Sequence, residues 1–329
     1  MLFRRAALLL SCLLVSLNTG AAAEEPVVLD TVLVSGTQSG PGLWQVRRGD
    51  HVLWILGTLS PLPRRMDWYS EPVEQAVAAS QQVLAMPGVD FDAGVGPVRG
   101  LFLLPSLFAA RRIPDDGTLE AVLPPELHAR WDALKRKYMP RRSKVERWRP
   151  IFAAAALYEE AIEDVGLRQK DVVWPVVRRI AKKNGIPIVE SDVQVTIAAP
   201  REAIAEFTAN GLDDTQCFAR TLERLETDLG AMKARANAWA DGNIEALRAL
   251  PFPDQNAACR EAILAASVAE KNGMRDLPQR VQAAWLASAE AALRSHTRTF
   301  AVLPIARLLA EDGYLAPLRE RGYEIVAPQ

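Results

Sequence analysis

Apolar and polar residues alternate from Leu43 to Arg47, with Leu43, Gln45 and Arg47 on one side and Trp44 and Val46 on the other. Gly49-Asp50 interrupts, and a more apolar run, Val52 to Leu56, continues to Gly57. This pattern predicts a strand, a tight turn and a more buried strand, around which the rest of the chain is organised. The second strand ends in Gly57-Thr58-Leu59-Ser60, and Pro61 to Pro63 are expected to stop any ladder. Gly57 lets the backbone approach a neighbour closely, at a strand end of the kind that often carries binding and catalytic residues.

Further along, Glu71 to Ala79 reads as a helix and Gln82 to Ala85 as a short strand ending at Met86-Pro87-Gly88. Residues 100–183 read mostly helical. Leu101 to Ala110 is strongly apolar and is expected to be buried or to line a groove. Pro124-Pro125 opens a helix in which Leu127, Trp131 and Leu134 keep helical spacing. Asp171 to Lys183 has an apolar side of Val173, Val176, Val177 and Ile180. Asn184-Gly185 caps it, and the strand Ile186 to Glu190 follows. The clearest helix begins at Asp213-Asp214. Its Phe218, Leu222, Leu225, Leu229 and Met232 recur at spacings of 4, 3, 4 and 3, and it is expected to run to Trp239 before Asp241-Gly242. Asn243 caps a short helix to Leu247, and helices fit Asn256 to Lys271 and Leu277 to Leu293. A strand from Arg298 to Leu303, a helix through Asp312-Gly313-Tyr314-Leu315 to Glu320 and a strand from Tyr323 to Val326 close the chain. The fold class implied is α/β: a central mixed sheet, with helical regions at about 100–183 and 213–293 packed beside it as a hairpin or small bundle.

The 329 residues, 49% hydrophobic, suffice for one large core or a core with a sizeable subdomain. Arg4-Arg5, the apolar run Ala6 to Leu17 and Ala21-Ala22-Ala23 read as a signal peptide cleaved near Ala23. The product would be periplasmic or secreted, with an arm over residues 24–41, in which Val27 to Val34 can pair at a sheet edge, and a single domain over 42–329. The apolar run is too short for a membrane span, and Leu9-Leu10-Ser11 before Cys12 is a poor lipoprotein box. Removing residues 1–23 takes two arginines and no acid, lowering the formal charge from −1 to −3, which argues against a nucleic-acid binder. Cys217 and Cys259 remain. They are either a disulfide or two buried thiols, and export favours the disulfide.

A basic stretch, Lys135-Arg136-Lys137, Arg141-Arg142, Lys144, Arg147 and Arg149, carries Tyr138 and Trp148 between its charges. It is either a surface for an anionic lipid head group or glycan, or a solvated helix face with two core aromatics. The second is preferred, because Glu146, Glu159, Glu160, Glu163 and Asp164 can neutralise much of the charge.

The strand ending in Gly57-Thr58-Leu59-Ser60 before Pro61-Leu62-Pro63 resembles the first motif of the TraB/GumN family, Gly-Thr-x-His and a Leu-Pro turn. The family is related to the Tiki metalloproteases and to the erythromycin-esterase-like and ChaN-like proteins. Asp312-Gly313-Tyr314-Leu315 and Arg321-Gly322-Tyr323 match its closing elements, and Lys271-Asn272 resembles its Arg-Asn pair. The resemblance covers nearly the whole mature chain. It implies a sheet built from two related halves, each giving a histidine at a strand end, with carboxylates nearby around a divalent metal that activates water for peptide or ester hydrolysis. Here Ser60 stands at the first histidine, Met86 (or Ala85) at a strand-end glutamate, Pro304 at the glycine and Arg307 at the histidine of the last motif. Asp90 and Asp92 read as loop acids. Glu190 at a strand end is a weak carboxylate candidate.

Ser and Met are poor ligands for such a metal and Arg is none. A unit charge ~4 Å from each charge of a dication costs roughly 4 kcal/mol at a dielectric of 20, so Arg307 would oppose the metal by about twice that. His51, His128 and His296 are the only histidines and fall in segments without ligand partners. The implied metal is therefore expected to be lost and no other cofactor is implied. Arg307 with Ser60 suits a carboxylate or phosphate, while pairing of Arg307 with Glu311 or Asp312 is the bland alternative. Two function classes stand. One is an exported pseudoenzyme that binds an unidentified protein or a small anion, with Ser60, Arg307, Glu190, Lys271 and Asn272 as binding candidates. The other is a Tiki-like hydrolase with altered groups.

Overall fold

β1 (Leu43–Arg48) and β2 (His51–Thr58) form the expected antiparallel hairpin, with Val46 opposite Leu53 and Gln45 opposite Trp54. Trp44 and Val46 are buried and Arg47 is exposed, as their alternation requires. The computed structural model describes residues 40–328 except 65, 67, 97–99, 251, 253 and 254. Residues 1–23, expected to be a signal peptide, and most of the expected arm over 24–41, Val27 to Val34 included, lie outside the described residues. After the hairpin come β3 (Leu62–Pro63), α1 (Glu71–Ala78), β4 (Gln82–Leu84), β5 (Val89–Asp92), α2 (Leu104–Ala110), α3 (Leu119–Val122), α4 (Pro125–Tyr138), α5 (Pro150–Asp164), β6 (Leu167–Arg168) and α6 (Trp174–Lys183). The chain continues through β7 (Ile188–Val189), β8 (Val193–Thr196), α7 (Pro200–Asn210), α8 (Thr215–Thr227), α9 (Leu229–Ala240), α10 (Ile244–Ala249), α11 (Gln255–Ala265) and α12 (Ser267–Lys271). It ends with α13 (Leu277–Ser295), β9 (Arg298–Pro304), α14 (Ile305–Leu309), α15 (Leu315–Glu320) and β10 (Glu324–Val326).

The fold is mixed α/β around a six-stranded sheet of order β10-β1-β2-β9-β4-β7. β1 runs antiparallel to its neighbours β10 and β2, whereas β2, β9, β4 and β7 are parallel. β9 sits between β2 and β4, and every residue from Thr299 to Leu303 is buried, so both faces of the sheet are covered there. Trp44, Leu53, Ile55, Val83, Leu84, Phe300 and Leu303 form this core with α1, α6 and α13. A second core gathers Leu127, Trp131, Leu157, Phe218, Leu222 and Leu225 from the helical region. Cys217 on α8 and Cys259 on α11 are disulfide-bonded across 42 residues, which selects the bridge over free thiols.

Several expectations need correction. Pro61 to Pro63 do end the β2 ladder, but Leu62–Pro63 starts a new antiparallel pair with Leu167–Arg168. This is possible because the missing Pro63 N–H is followed at once by Arg64 N donating to the Gly166 carbonyl at 3.1 Å. The helix expected from Asp213 to Trp239 is two helices, α8 and α9, broken at Asp228. There a 6% exposed carboxylate accepts from Arg224 Nε at 3.1 Å and Arg235 Nη1 at 2.9 Å. Asn256 to Lys271 also divides, into α11 and α12 at Ala266, and the helix expected to run through Asp312 to Glu320 is α14 and α15 with a turn between. α6 begins at Trp174 rather than Asp171, because the Asp171 carboxylate accepts from the Val173 and Trp174 N–H groups at 2.9 Å and caps it. The apolar stretch Leu101 to Ala110 is mostly not buried: Leu103 and Ala110 are, but Leu101, Phe102, Leu104, Leu107 and Phe108 are 40–69% exposed.

Three of the eight cations of the basic stretch pair with acids. Lys135 pairs with Glu146, Arg142 with Glu160, and Arg147 lies 3.4 Å from Asp116. Arg149 is buried, giving Nε to the Ala110 carbonyl at 3.0 Å and Nη2 to that of Thr208 at 2.6 Å.

Candidate site at the carboxyl ends of the parallel strands

Parallel strands finish on the same edge of a sheet, and the residues that follow them border the space beyond that edge, the crevice of an open α/β sheet. In register, Thr58 lies beside Pro304, Leu84 beside Ala301, and Leu84 also beside Val189. Four adjacent strands therefore end together. Ser60 follows β2, Arg307 follows β9 in the first turn of α14, Met86 follows β4 and Glu190 follows β7. Arg307 belongs to an inner strand, flanked by the ends that carry Ser60 and Met86. Ser60 and Glu190 are exposed and Met86 is 41% exposed.

Close packing sets these ends. A Cβ on Gly57 would lie 2.9 Å from Ile305 Cγ1, so glycine is what lets β2 run against the start of α14. The Gly57 carbonyl accepts from Trp239 Nε1 at 2.7 Å, which ties the strand end to α9. A Cβ on Gly313 would meet the Arg307 carbonyl at 1.9 Å, so only glycine lets the turn after α14 fold back on it. The fold-back brings Tyr314 N to the Arg307 carbonyl at 3.3 Å, and the 6% exposed Tyr314 ring packs edge-on against Trp285 at 5.1 Å. Burial pushes the Tyr314 phenol above its ordinary value against the opposing Arg307 charge, so it stays protonated at neutral pH.

Arg307 does pair locally. Its Nη1 is 3.5 Å from Asp312 Oδ1, Nη2 donates to the Asp312 carbonyl at 3.4 Å, and the guanidinium lies 6.0 Å from the Tyr314 ring centre. Both contacts are long, the Arg307 side chain is 40% exposed and the Asp312 carboxylate 84%. The pair is a surface ion pair of small worth, and it leaves the outer side of the guanidinium facing solvent.

The remaining candidates lie elsewhere. Lys271 is 2.8 Å from Glu206 and holds that carboxyl below its ordinary range, chiefly through the hydrogen bond. Asn272 Nδ2 donates to the Val268 carbonyl at 2.7 Å. Both end α12, whose Ala269 packs with Val195, Met274 and Leu277 against the small parallel pair β5–β8. Asp90 and Asp92 are exposed on β5, accepting from Gln194 Nε2 at 3.4 Å and Gly94 N at 2.8 Å respectively. Trp285 and Tyr314, which floor the Arg307 position, escaped the sequence reading as a pair. The only signal was Tyr314 inside the Asp-Gly-Tyr-Leu match.

Among the described residues, no group of three His, Cys, Asp or Glu is placed to hold a metal ion. His51 opens β2 and gives Nδ1 to the Leu293 carbonyl region at 2.8 Å, and His296 precedes β9, so both stand at the amino ends of the strands, opposite the crevice. His128 is on α4. A divalent cation does not fit Ser60, Met86 and a permanently charged Arg307.

A family model described as the TraB/PrgY/gumN family matches residues 42–327. The chain belongs to that family. No curated protein and no solved structure matches it. The match runs from the residue before β1 to the residue after β10, so it takes in the whole central sheet and the crevice. Within this TraB/PrgY/gumN chain, the strand-end positions expected from the motif resemblance do fall on one sheet edge, whereas Lys271 and Asn272 belong to the neighbouring α12 layer.

Proposed function

We propose that this TraB/PrgY/gumN chain is an exported, non-catalytic binding protein that holds a small anion, or an anionic group of a partner protein, at the carboxyl ends of its parallel strands. The observation that carries this reading is Arg307: a cation at an inner strand end, where the family resemblance leads one to expect a metal ligand, held among the described residues only by long, exposed contacts to Asp312 and the Tyr314 ring. A guanidinium with free donors matches carboxylate or phosphate oxygens in a fork geometry. Ser60 on the adjacent strand supplies a hydroxyl at the same edge. Export is supported by the Cys217–Cys259 disulfide, a bond that persists in oxidising compartments, and by the leader-like residues 1–23.

The test is calorimetric titration with inorganic phosphate, run beside elemental analysis of the same preparation. The natural protein binds phosphate without stoichiometric metal, and Arg307→Ala weakens binding at least about tenfold, the worth of a charge-assisted hydrogen bond. Binding unchanged in Arg307→Ala overturns the site. Stoichiometric metal in the natural protein overturns the non-catalytic reading and points to the alternative, a hydrolase with altered groups.

A further inference from the structure

We propose that the ridge formed by Leu101, Phe102 and the outer face of α2 docks the protein peripherally on an anionic lipid bilayer. Leu104, Leu107 and Phe108 recur at helical spacing on one face of α2, and Leu101 and Phe102 lie just before it. All five are exposed, Leu101 at 64%, Phe102 at 69% and Phe108 at 58%. Together they expose on the order of 500 Å² of apolar surface within eight residues, the size at which such surface marks an interaction site.

Exposure and charge choose the occupant. Side chains of this kind, 40–69% exposed, suit insertion as short apolar wedges at the headgroup boundary. Residues 100–113 contain two arginines and no acid. Arg112 is exposed beside the ridge, and Arg111 stands over Phe108 and Trp148, its guanidinium carbon 5.4 and 4.3 Å from the ring centres. Arginine beside leucine and phenylalanine is complementary to lipid phosphates above acyl chains. Among the described residues no helix is long and apolar enough to cross a membrane, so the contact is with the surface.

The test is amide hydrogen exchange on the full chain, with phosphatidylcholine vesicles that contain or lack phosphatidylglycerol. Exchange across residues 100–112 slows only with the anionic vesicles, and the slowing is lost in Phe102→Ser/Phe108→Ser. In Arg112→Ala the vesicle concentration needed for half of the effect rises about fivefold, the loss expected for one basic residue near such a surface. Slowing confined to residues 1–23, or equal slowing with vesicles lacking phosphatidylglycerol, overturns the proposal. Protection that grows with protein concentration without vesicles assigns the ridge to a second copy of the chain and overturns it as well.

Discussion

Gly57→Ala tests how the crevice is set, because the methyl group it adds has one identifiable neighbour. Gly57 has no positive φ, so alanine suits its backbone and the effect is steric. The new Cβ would lie 2.9 Å from Ile305 Cγ1, 3.0 Å from Ile305 Cβ and 3.2 Å from Cδ1. Ordinary carbon contacts are about 3.5–4.0 Å, so β2 and α14 must separate by several tenths of an ångström. Overpacking of this kind costs about 1–3 kcal/mol, and replacing a strand glycine returns about 0.5–1 kcal/mol of backbone entropy, leaving a net loss of up to about 2.5 kcal/mol. Ile305 is 2% exposed, so Ile305→Ala alone costs about 2–5 kcal/mol. In the double variant the new methyl occupies part of the space vacated by Ile305, and the loss falls short of the sum by about 1 kcal/mol or more. Guanidinium unfolding of the four proteins measures the cycle. Additive losses would refute the claim that glycine is required for strand and helix to meet.

Asp228→Ala removes the buried carboxylate that pairs with both Arg224 and Arg235, whose side chains are 11% and 3% exposed. It should cost about 3–5 kcal/mol in chemical unfolding, and a loss below 1 kcal/mol would mean the helix break does not depend on the charge cluster. Replacing both Cys217 and Cys259 by serine reopens a loop of 42 residues, a loss of up to about 4 kcal/mol that a reductant should reproduce in the natural protein. Burial pushes the Asp214 carboxyl above its ordinary value, against the Ile151 N–H bond and the Arg149 charge. A carboxyl raised in the folded state takes its proton before the unfolded chain does. It therefore costs stability at neutral pH, and the cost fades as pH falls through the raised value toward the ordinary carboxyl range. The stability of the natural protein relative to Asp214→Asn should rise over that interval, and a flat difference across unfolding midpoints would refute the assignment.

Features with a local period or a turn signal were legible in the sequence. The hairpin, α1, β9 and the closing strand follow from alternation, Gly49-Asp50 and Arg321-Gly322, and Asn243 caps α10 as read, its Oδ1 accepting from Ala246 N at 2.8 Å. The break at Asp228 was not legible, because the apolar stripe continues through Leu229 and Met232 while the interruption comes from Arg224 and Arg235. Periodicity also cannot say what covers an apolar face. Leu101 to Phe108 reads like a core segment and lies on the surface. The crevice itself depends on β9 inserting between β2 and β4, an order set by long-range pairing that no local pattern encodes. Residue types at the strand ends could be named from sequence, but their placement on one edge required the topology.

That separation between sheet and strand ends bears on how a family site can change its chemistry. Leu53, Ile55, Val83, Leu84, Phe300, Val302 and Leu303 are buried and hold the sheet. Ser60, Met86, Glu190 and Arg307 begin where that packing stops, and three of them are exposed while Arg307 keeps only a long contact. Substitution there changes the groups presented at the sheet edge while removing little buried contact. Ser60→His/Arg307→His should therefore unfold within about 1 kcal/mol of the natural protein, the sum of two exposed substitutions of about 0.5 kcal/mol each. A larger loss would show that these ends are structural supports, and that their replacement required compensation elsewhere in the core.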